Sequence, residues 1–129
     1  MEEASAVIPA STEKIRRVLL DAAALPEWNE AFVLVEGPAE PTPGQPYSLR
    51  IRSGLTGRLE YSRVEPDLIG IIWNVPGFRE VGLWTLGPEG QVTHAFEHSG
   101  PLAAILRPAY RGIAAVRLQR LATRIETVA

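Results

Sequence analysis

The residues of this 129-residue chain that could do chemistry fall in three places. His94-Ala95-Phe96-Glu97-His98 matches H-x-x-E-H, which binds zinc when the first and last residues share one face of a helix. Here the segment alternates like a strand and runs into Ser99-Gly100-Pro101. Four residues of strand span about 13 Å, too far for two imidazoles to share an ion at about 2.0–2.1 Å. The sequence has only two histidines and no cysteine, so no metal site is expected. On a strand, His94, Phe96 and His98 share a face that is expected to look inward. His98 then sits near the entrance to the last helix. There it either moves a proton near pH 7 or acts as a hydrogen-bonded structural histidine.

The second place is Arg63, which alternates onto one face with Leu59 and Tyr61. If that face is the inner one, the guanidinium reaches a cavity or its mouth and could polarise a carbonyl or hold an enolate. The other reading is a solvated strand arginine, since a slip of one residue inverts every face. Tyr61 and Tyr110 carry hydroxyls that can donate to a bound oxygen or to a backbone carbonyl. The third place is the last helix, which carries Arg107, Arg111, Arg117, Arg120 and Arg124. A basic helix can mark an acidic partner or a membrane surface; the simpler reading is the wet face of a packed helix. The sequence holds no Gly-rich phosphate loop, no G-x-S-x-G elbow and no Walker motif.

The elements that must position these residues read in a clear order. Ala4–Ile8 is a short strand closed by Pro9, and Ser11 caps a helix bearing Ile15, Val18 and Leu19 that fades near Asp21. Leu25-Pro26-Glu27-Trp28-Asn29 forms a very short second helix. Strands follow over 32–36, 47–51, 59–64, 69–75, 79–86 and 92–98, separated by Gly/Pro turns. After Ser99-Gly100-Pro101, a short turn leads to a main helix predicted over Pro108–Glu126, about 28 Å long, with Ala114, Leu118, Leu121 and Ile125 as its apolar stripe. This order predicts an α+β domain with the last helix laid across one face of a curved antiparallel sheet of about six or seven strands.

Composition agrees. Hydrophobic residues make up 46% and charged residues 22%, which suits one globular domain over residues 1–129. The first residues lack a basic and apolar leader pattern, and no apolar run approaches a membrane span, so a cytoplasmic protein is expected. Net charge is −2, which argues against a dedicated nucleic-acid binder.

Five segments carry a resemblance: Val7-Ile8-Pro9-Ala10-Ser11, Leu25-Pro26-Glu27-Trp28-Asn29, Gly82-Leu83-Trp84-Thr85-Leu86-Gly87-Pro88, Val92-Thr93-His94-Ala95-Phe96-Glu97 and Gly100-Pro101-Leu102. In order and spacing the chain resembles the helix-grip fold of the START/SRPBCC superfamily, and within it the small polyketide cyclase/dehydrase branch. The resemblance implies a sheet curled around a long C-terminal helix, with an internal cavity for an apolar ligand. It also implies a role for Arg63, because Tyr61-Ser62-Arg63-Val64-Glu65-Pro66-Asp67 looks like the segment where aromatic polyketide cyclases place an arginine. Glu65 is one extra residue before the Pro-Asp turn, and Val33, Leu34 and Val35 lack a tyrosine that some of those cyclases carry.

The expected chemistry is ring closure or dehydration of an oxygenated apolar molecule, with Arg63 stabilising negative charge and Tyr61 or His98 moving protons. The expected ligand wall comprises Trp28, Phe32, Tyr47, Leu49, Ile51, Ile71, Trp73, Phe96, Leu106, Tyr110 and Ile113. The alternatives are a carrier of lipid, quinone or pigment, and a solid core with no cavity. No cofactor, nucleic acid or membrane span is implied. The chain is expected to be a monomer or homodimer.

Overall fold

A computed structural model describes residues 1–128. Strand β1 (Glu2–Val7) is followed by helix α1 (Thr12–Leu19), a 3-10 turn (Ala22–Glu27), β2 (Phe32–Glu36), β3 (Tyr47–Ile51), β4 (Thr56–Glu65), β5 (Leu68–Val75), β6 (Phe78–Leu86) and β7 (Gln91–Ser99). Helices α2 (Ala103–Tyr110) and α3 (Ile113–Thr127) complete the chain. The strands form one seven-stranded sheet in the order β1-β7-β6-β5-β4-β3-β2, every neighbouring pair antiparallel. Strands β2 to β7 therefore run as a meander, and β1 returns to close on β7.

Alternation decides which residues meet the helices. On β6, Phe78, Glu80, Gly82, Trp84 and Leu86 are buried while the residues between them face out. On β7 the inward set is Val92, His94 and Phe96. Helix α1 starts where Ser11 Oγ accepts from the Lys14 amide at 3.1 Å, and it buries Ile15, Val18 and Leu19. Helix α3 lays Ala114, Leu118, Leu121 and Ile125 on the sheet. Among the described residues no helix is long and apolar enough to cross a membrane.

Two departures from the sequence reading have local causes. The single helix predicted from Pro108 to Glu126 is two helices. Pro108 lies inside α2, Arg111 is extended, and Gly112 adopts φ +80°, a conformation that glycine takes without the penalty of a Cβ. The second departure is on β4, where pairing with β5 shifts between Tyr61 and Arg63. This bulge breaks the two-residue alternation, so Leu59 and Tyr61 point inward, Arg63 points out and Val64 packs against the core. Gly70 on β5 pairs with Arg63, and a Cβ there would collide with the Ser62 hydroxyl, so that side chain would have to shift.

Candidate functional site

A cavity of about 400 Å³ opens between the sheet and α2, within the usual range for small-molecule sites. Trp73, Val75 and Phe78 line it from the sheet, and Ile51 and Leu55 from the β3–β4 hairpin. Leu102, Leu106, Ala109 and Tyr110 cover it from above, with Ile113 at the start of α3. The break at Gly112 lets α2 turn away from the line of α3, so the two helices wall different parts of the sheet. Glu30, which precedes β2, joins this otherwise apolar wall, and Arg52 and Ser53 lie at the hairpin.

Glu30 leads into a buried ion network. Arg117 on α3 is fully buried, and its Nε donates to Glu30 Oε1 at 2.6 Å. Its Nη1 and Nη2 donate to the two oxygens of Glu80 at 2.9 and 3.0 Å. This is the two-pronged arginine–carboxylate geometry that gives the strongest charge-assisted pairing. Glu80 Oε2 also accepts from the Trp73 indole at 3.0 Å, and Oε1 accepts from His98 Nε2 at 2.8 Å. The other oxygen of Glu30, Oε2, is enclosed and has no hydrogen-bond partner among the described residues.

Burial by itself would raise the Glu80 carboxyl. The Arg117 charge and the hydrogen bonds from His98 and Arg117 outweigh it and hold the group at about 2. Arg117 is pushed up, because burial is more than offset by Glu80 and Glu30. His94 falls to about 4, chiefly through burial and then through Arg117, so its ring is neutral at pH 7. Its Nδ1 sits 3.0 Å from the Leu83 carbonyl, which can only accept, so Nδ1 carries the proton. The bare Nε2 then faces Arg117 Nη1 at 3.3 Å. Burial, then the Glu80 charge, pushes the Tyr110 hydroxyl up to about 12. Aromatic rings sheathe the network: Arg117 stands 4.7 Å over Phe96, and His98 lies 4.3 Å from Tyr110 and 4.6 Å from Phe78 between ring centroids.

The structure distributes the expected site residues unevenly. Ile51, Trp73, Leu106, Tyr110 and Ile113 do line the cavity. Phe96 instead packs under Arg117 and lines an adjoining groove with His98 and Arg107. Trp28 packs edge-on against Trp84, and Phe32 against Trp73, both outside the cavity wall. Tyr47, Leu49 and Ile71 are buried in the core, also away from the cavity. Tyr61 is wholly buried and donates to the Leu19 carbonyl at 2.6 Å; burial raises its hydroxyl further. Arg63 lies on the outer face with its side chain 50% exposed, its Nε 2.6 Å from Glu65 Oε2. Of the two readings of Arg63, the structure gives the solvated strand arginine and not the inward one on which its expected catalytic role rests, with the β4 bulge as the cause. His98 is in the network, and the H-x-x-E-H segment lies along β7 with His94 and Glu97 on opposite faces.

Three charged residues of the network were not singled out as site residues by sequence reasoning. Arg117 was grouped with the wet arginines, yet it is fully buried. Its position was legible: 114, 117, 118, 121 and 125 are one helical stripe, and an arginine inside an apolar stripe needs a buried partner. Glu80 likewise shares the period-2 face of Phe78 and Trp84. Glu30 sits outside any periodic segment, so no pattern marked it.

No protein-family model matches the chain, and no curated protein sequence matches it. Solved structures do. Protein MLL2253 from Mesorhizobium loti superposes with a TM-score of 0.76 at 19% identity, covering 99% of this chain and 98% of that one. Norcoclaurine synthase from Thalictrum flavum, solved with dopamine and hydroxybenzaldehyde, gives 0.70 at 15% identity, covering 99% and 87%. DynU16, from the dynemicin biosynthetic locus, gives 0.64 at 21% identity, covering 97% of this chain and 46% of that one. At such identities the likeness is one of fold. A seven-stranded antiparallel sheet, two small helical segments after the first strand and a long C-terminal helix across its inner face give this chain the helix-grip fold.

Proposed function

We propose that this chain binds an apolar, oxygenated small molecule in the cavity beneath α2 and promotes its cyclisation or dehydration by proton transfer. The observation that carries this reading is that the apolar cavity has Glu30 and Tyr110 in its wall, and Glu30 is ion-paired to the buried network behind it. The fold neighbours that hold small aromatic molecules or come from a biosynthetic locus support it. In a dehydration, the Glu30 carboxylate takes the proton from the carbon between a ketone and a hydroxyl-bearing carbon. The C–H electron pair forms the new C=C bond as the C–O bond breaks, and the proton held by Glu30 leaves with the hydroxide as water. Tyr110 keeps its own proton at neutral pH and donates a hydrogen bond to the ketone oxygen, where charge collects. Arg117 fixes Glu30 in place, and the apolar walls exclude water.

A carrier with no chemistry is the second reading, favoured by how few polar groups the cavity wall holds. The β-hydroxy ketone 4-hydroxy-4-phenylbutan-2-one separates the two, because its dehydration gives a conjugated enone that is followed by ultraviolet absorbance. The enzyme reading expects enone formation that falls about 100-fold or more in Glu30→Gln and disappears in Leu106→Trp, whose indole fills the cavity. Binding of the ketone without enone formation would leave the carrier. Failure to bind would remove both.

A further inference from the structure

We propose that a groove on the far side of Tyr110 is a second binding site, which takes an aromatic hydroxy acid. The ligand's phenolic O–H donates to His98 Nδ1, and its carboxylate faces Arg107 and Arg111. The groove, of about 490 Å³, lies between α2 and the rim where β1 meets β7. Tyr110 is the single lining residue it shares with the cavity of the proposed function, so either site can fail without the other.

His98 carries the inference. Its Nε2 meets Glu80 Oε1 at 2.8 Å, and Glu80, ionised in its pair with Arg117, can only accept. Nε2 therefore holds the proton of the neutral ring, and Nδ1 keeps a bare lone pair. Among the described residues the enclosed unpaired side-chain atoms are Trp28 Nε1 and Glu30 Oε2, so Nδ1 is unpaired and open. The register explains the opening. Pairing of β1 with β7 stops at Glu2 opposite Phe96, two residues before His98. The imidazole thus has Glu80 of β6 on one side and the groove on the other. Phe96 stacks on it with centroids 4.8 Å apart, and Tyr110 meets it edge-on at 4.3 Å. These contacts fix the direction of the acceptor, and the same two rings give an aromatic ligand an apolar wall.

The charges of the groove suit an anion. Arg107 and Arg111 are exposed on its helical side and stand in no ion pair among the described residues. Of the carboxylates at the rim, Glu2 accepts from the Gly112 amide at 3.1 Å, and Glu97 lies on the face of β7 opposite to His98.

Calorimetric titration at pH 8 compares 4-hydroxybenzoate with 4-fluorobenzoate, which cannot donate, and with 4-hydroxybenzamide, which has no charge. One neutral hydrogen bond should make the hydroxy acid about fivefold tighter than the fluoro acid. The amide should bind about twofold more weakly than the hydroxy acid, a difference that fades with added salt. Isotopic labelling of the ring nitrogens of the two histidines reads the contact itself. The hydroxy acid should shift His98 Nδ1, the fluoro acid should not, and His94 should stay still. Ala103→Trp, whose indole fills the groove without touching the Glu80 network, should abolish binding, and Leu106→Trp, which fills the cavity, should not. Equal affinity for the two acids, or an unmoved Nδ1 at saturation, overturns the inference and leaves the cavity reading standing. An amide that binds as tightly as the acid overturns it likewise, because the two arginines then have no part. Binding that survives Ala103→Trp and is lost in Leu106→Trp overturns it too, since the ligand then occupies the cavity. Absence of binding by all three compounds overturns the groove alone, because the β-hydroxy ketone tests the cavity separately.

Discussion

The half of the sheet beneath α1 and the half beneath α2 solve the same problem in different ways. Beneath α1, Tyr47 and Tyr61 pack edge-on with ring centroids 6.1 Å apart, and each hydroxyl is spent on a backbone carbonyl, of Pro38 at 2.7 Å and Leu19 at 2.6 Å. Both hydroxyls are closed within the chain, and both rings are packed solidly into the core. Beneath α2 and α3 the inward positions of β6 and β7 hold Glu80 and His94 among the aromatics, and α3 answers with Arg117. That half keeps a cavity and an unpaired oxygen at Glu30. Two-residue alternation supplies both outcomes; what differs is whether the buried polar groups find partners in the backbone or in one another.

The two halves should differ most at Arg117. Arg117→Leu leaves Glu80 and Glu30 without their cation, and should cost about 3–5 kcal/mol in urea unfolding. Adding Glu80→Leu should recover part of that loss, since the second change removes a stranded charge. A cost for Arg117→Leu near zero would mean that the network does not organise this half.

The next largest effect is acid sensitivity. His94 falls from an ordinary 6.5 to about 4 in the fold, so the unfolded chain binds the extra proton first. Its contribution, roughly 3 kcal/mol, is complete above pH 6.5 and drains away as pH falls toward 4. Glu80, lowered from 4.5 to about 2, adds a further loss below pH 4.5. Unfolding midpoints measured from pH 8 to pH 3 should fall across both windows, and His94→Phe should flatten the upper one.

Smaller changes test the solid half. Tyr61→Phe leaves the Leu19 carbonyl unpaired and should cost about 1–3 kcal/mol without altering affinity at the cavity. A change in ligand affinity would show that the two halves are not separate. Arg63→Ala removes an exposed ion pair and should leave the unfolding midpoint where it was.

These contrasts also show what could be read from residues alone. The strands were legible because inward and outward residues alternate cleanly, as along Tyr47–Ile51 and Phe78–Leu86. The Ser11 cap was legible because its hydroxyl has one local use. The face of Arg63 stays open in the sequence because alternation counts residues and a bulge adds one; Gly70, a glycine inside a strand, is a sign that the count changes nearby. The helix break was hidden by an apolar stripe that continues across Gly112 from Tyr110 to Ile113. Arg117 was misjudged by residue type when its phase with Ala114, Leu118 and Leu121 placed it inside. The Glu30–Arg117 pair joins residues 87 positions apart, a separation no local pattern reports.

Titration of the isotopically labelled chain with 2-naphthol shows whether small molecules enter beneath α2 and nowhere in the solid half. Shifts are expected in the Trp73 indole and in the methyls of Leu106 and Ile113, with those of Leu59 and Leu49 unmoved. Shifts centred on Leu59 and Leu49, or none at all at saturating naphthol, would contradict it.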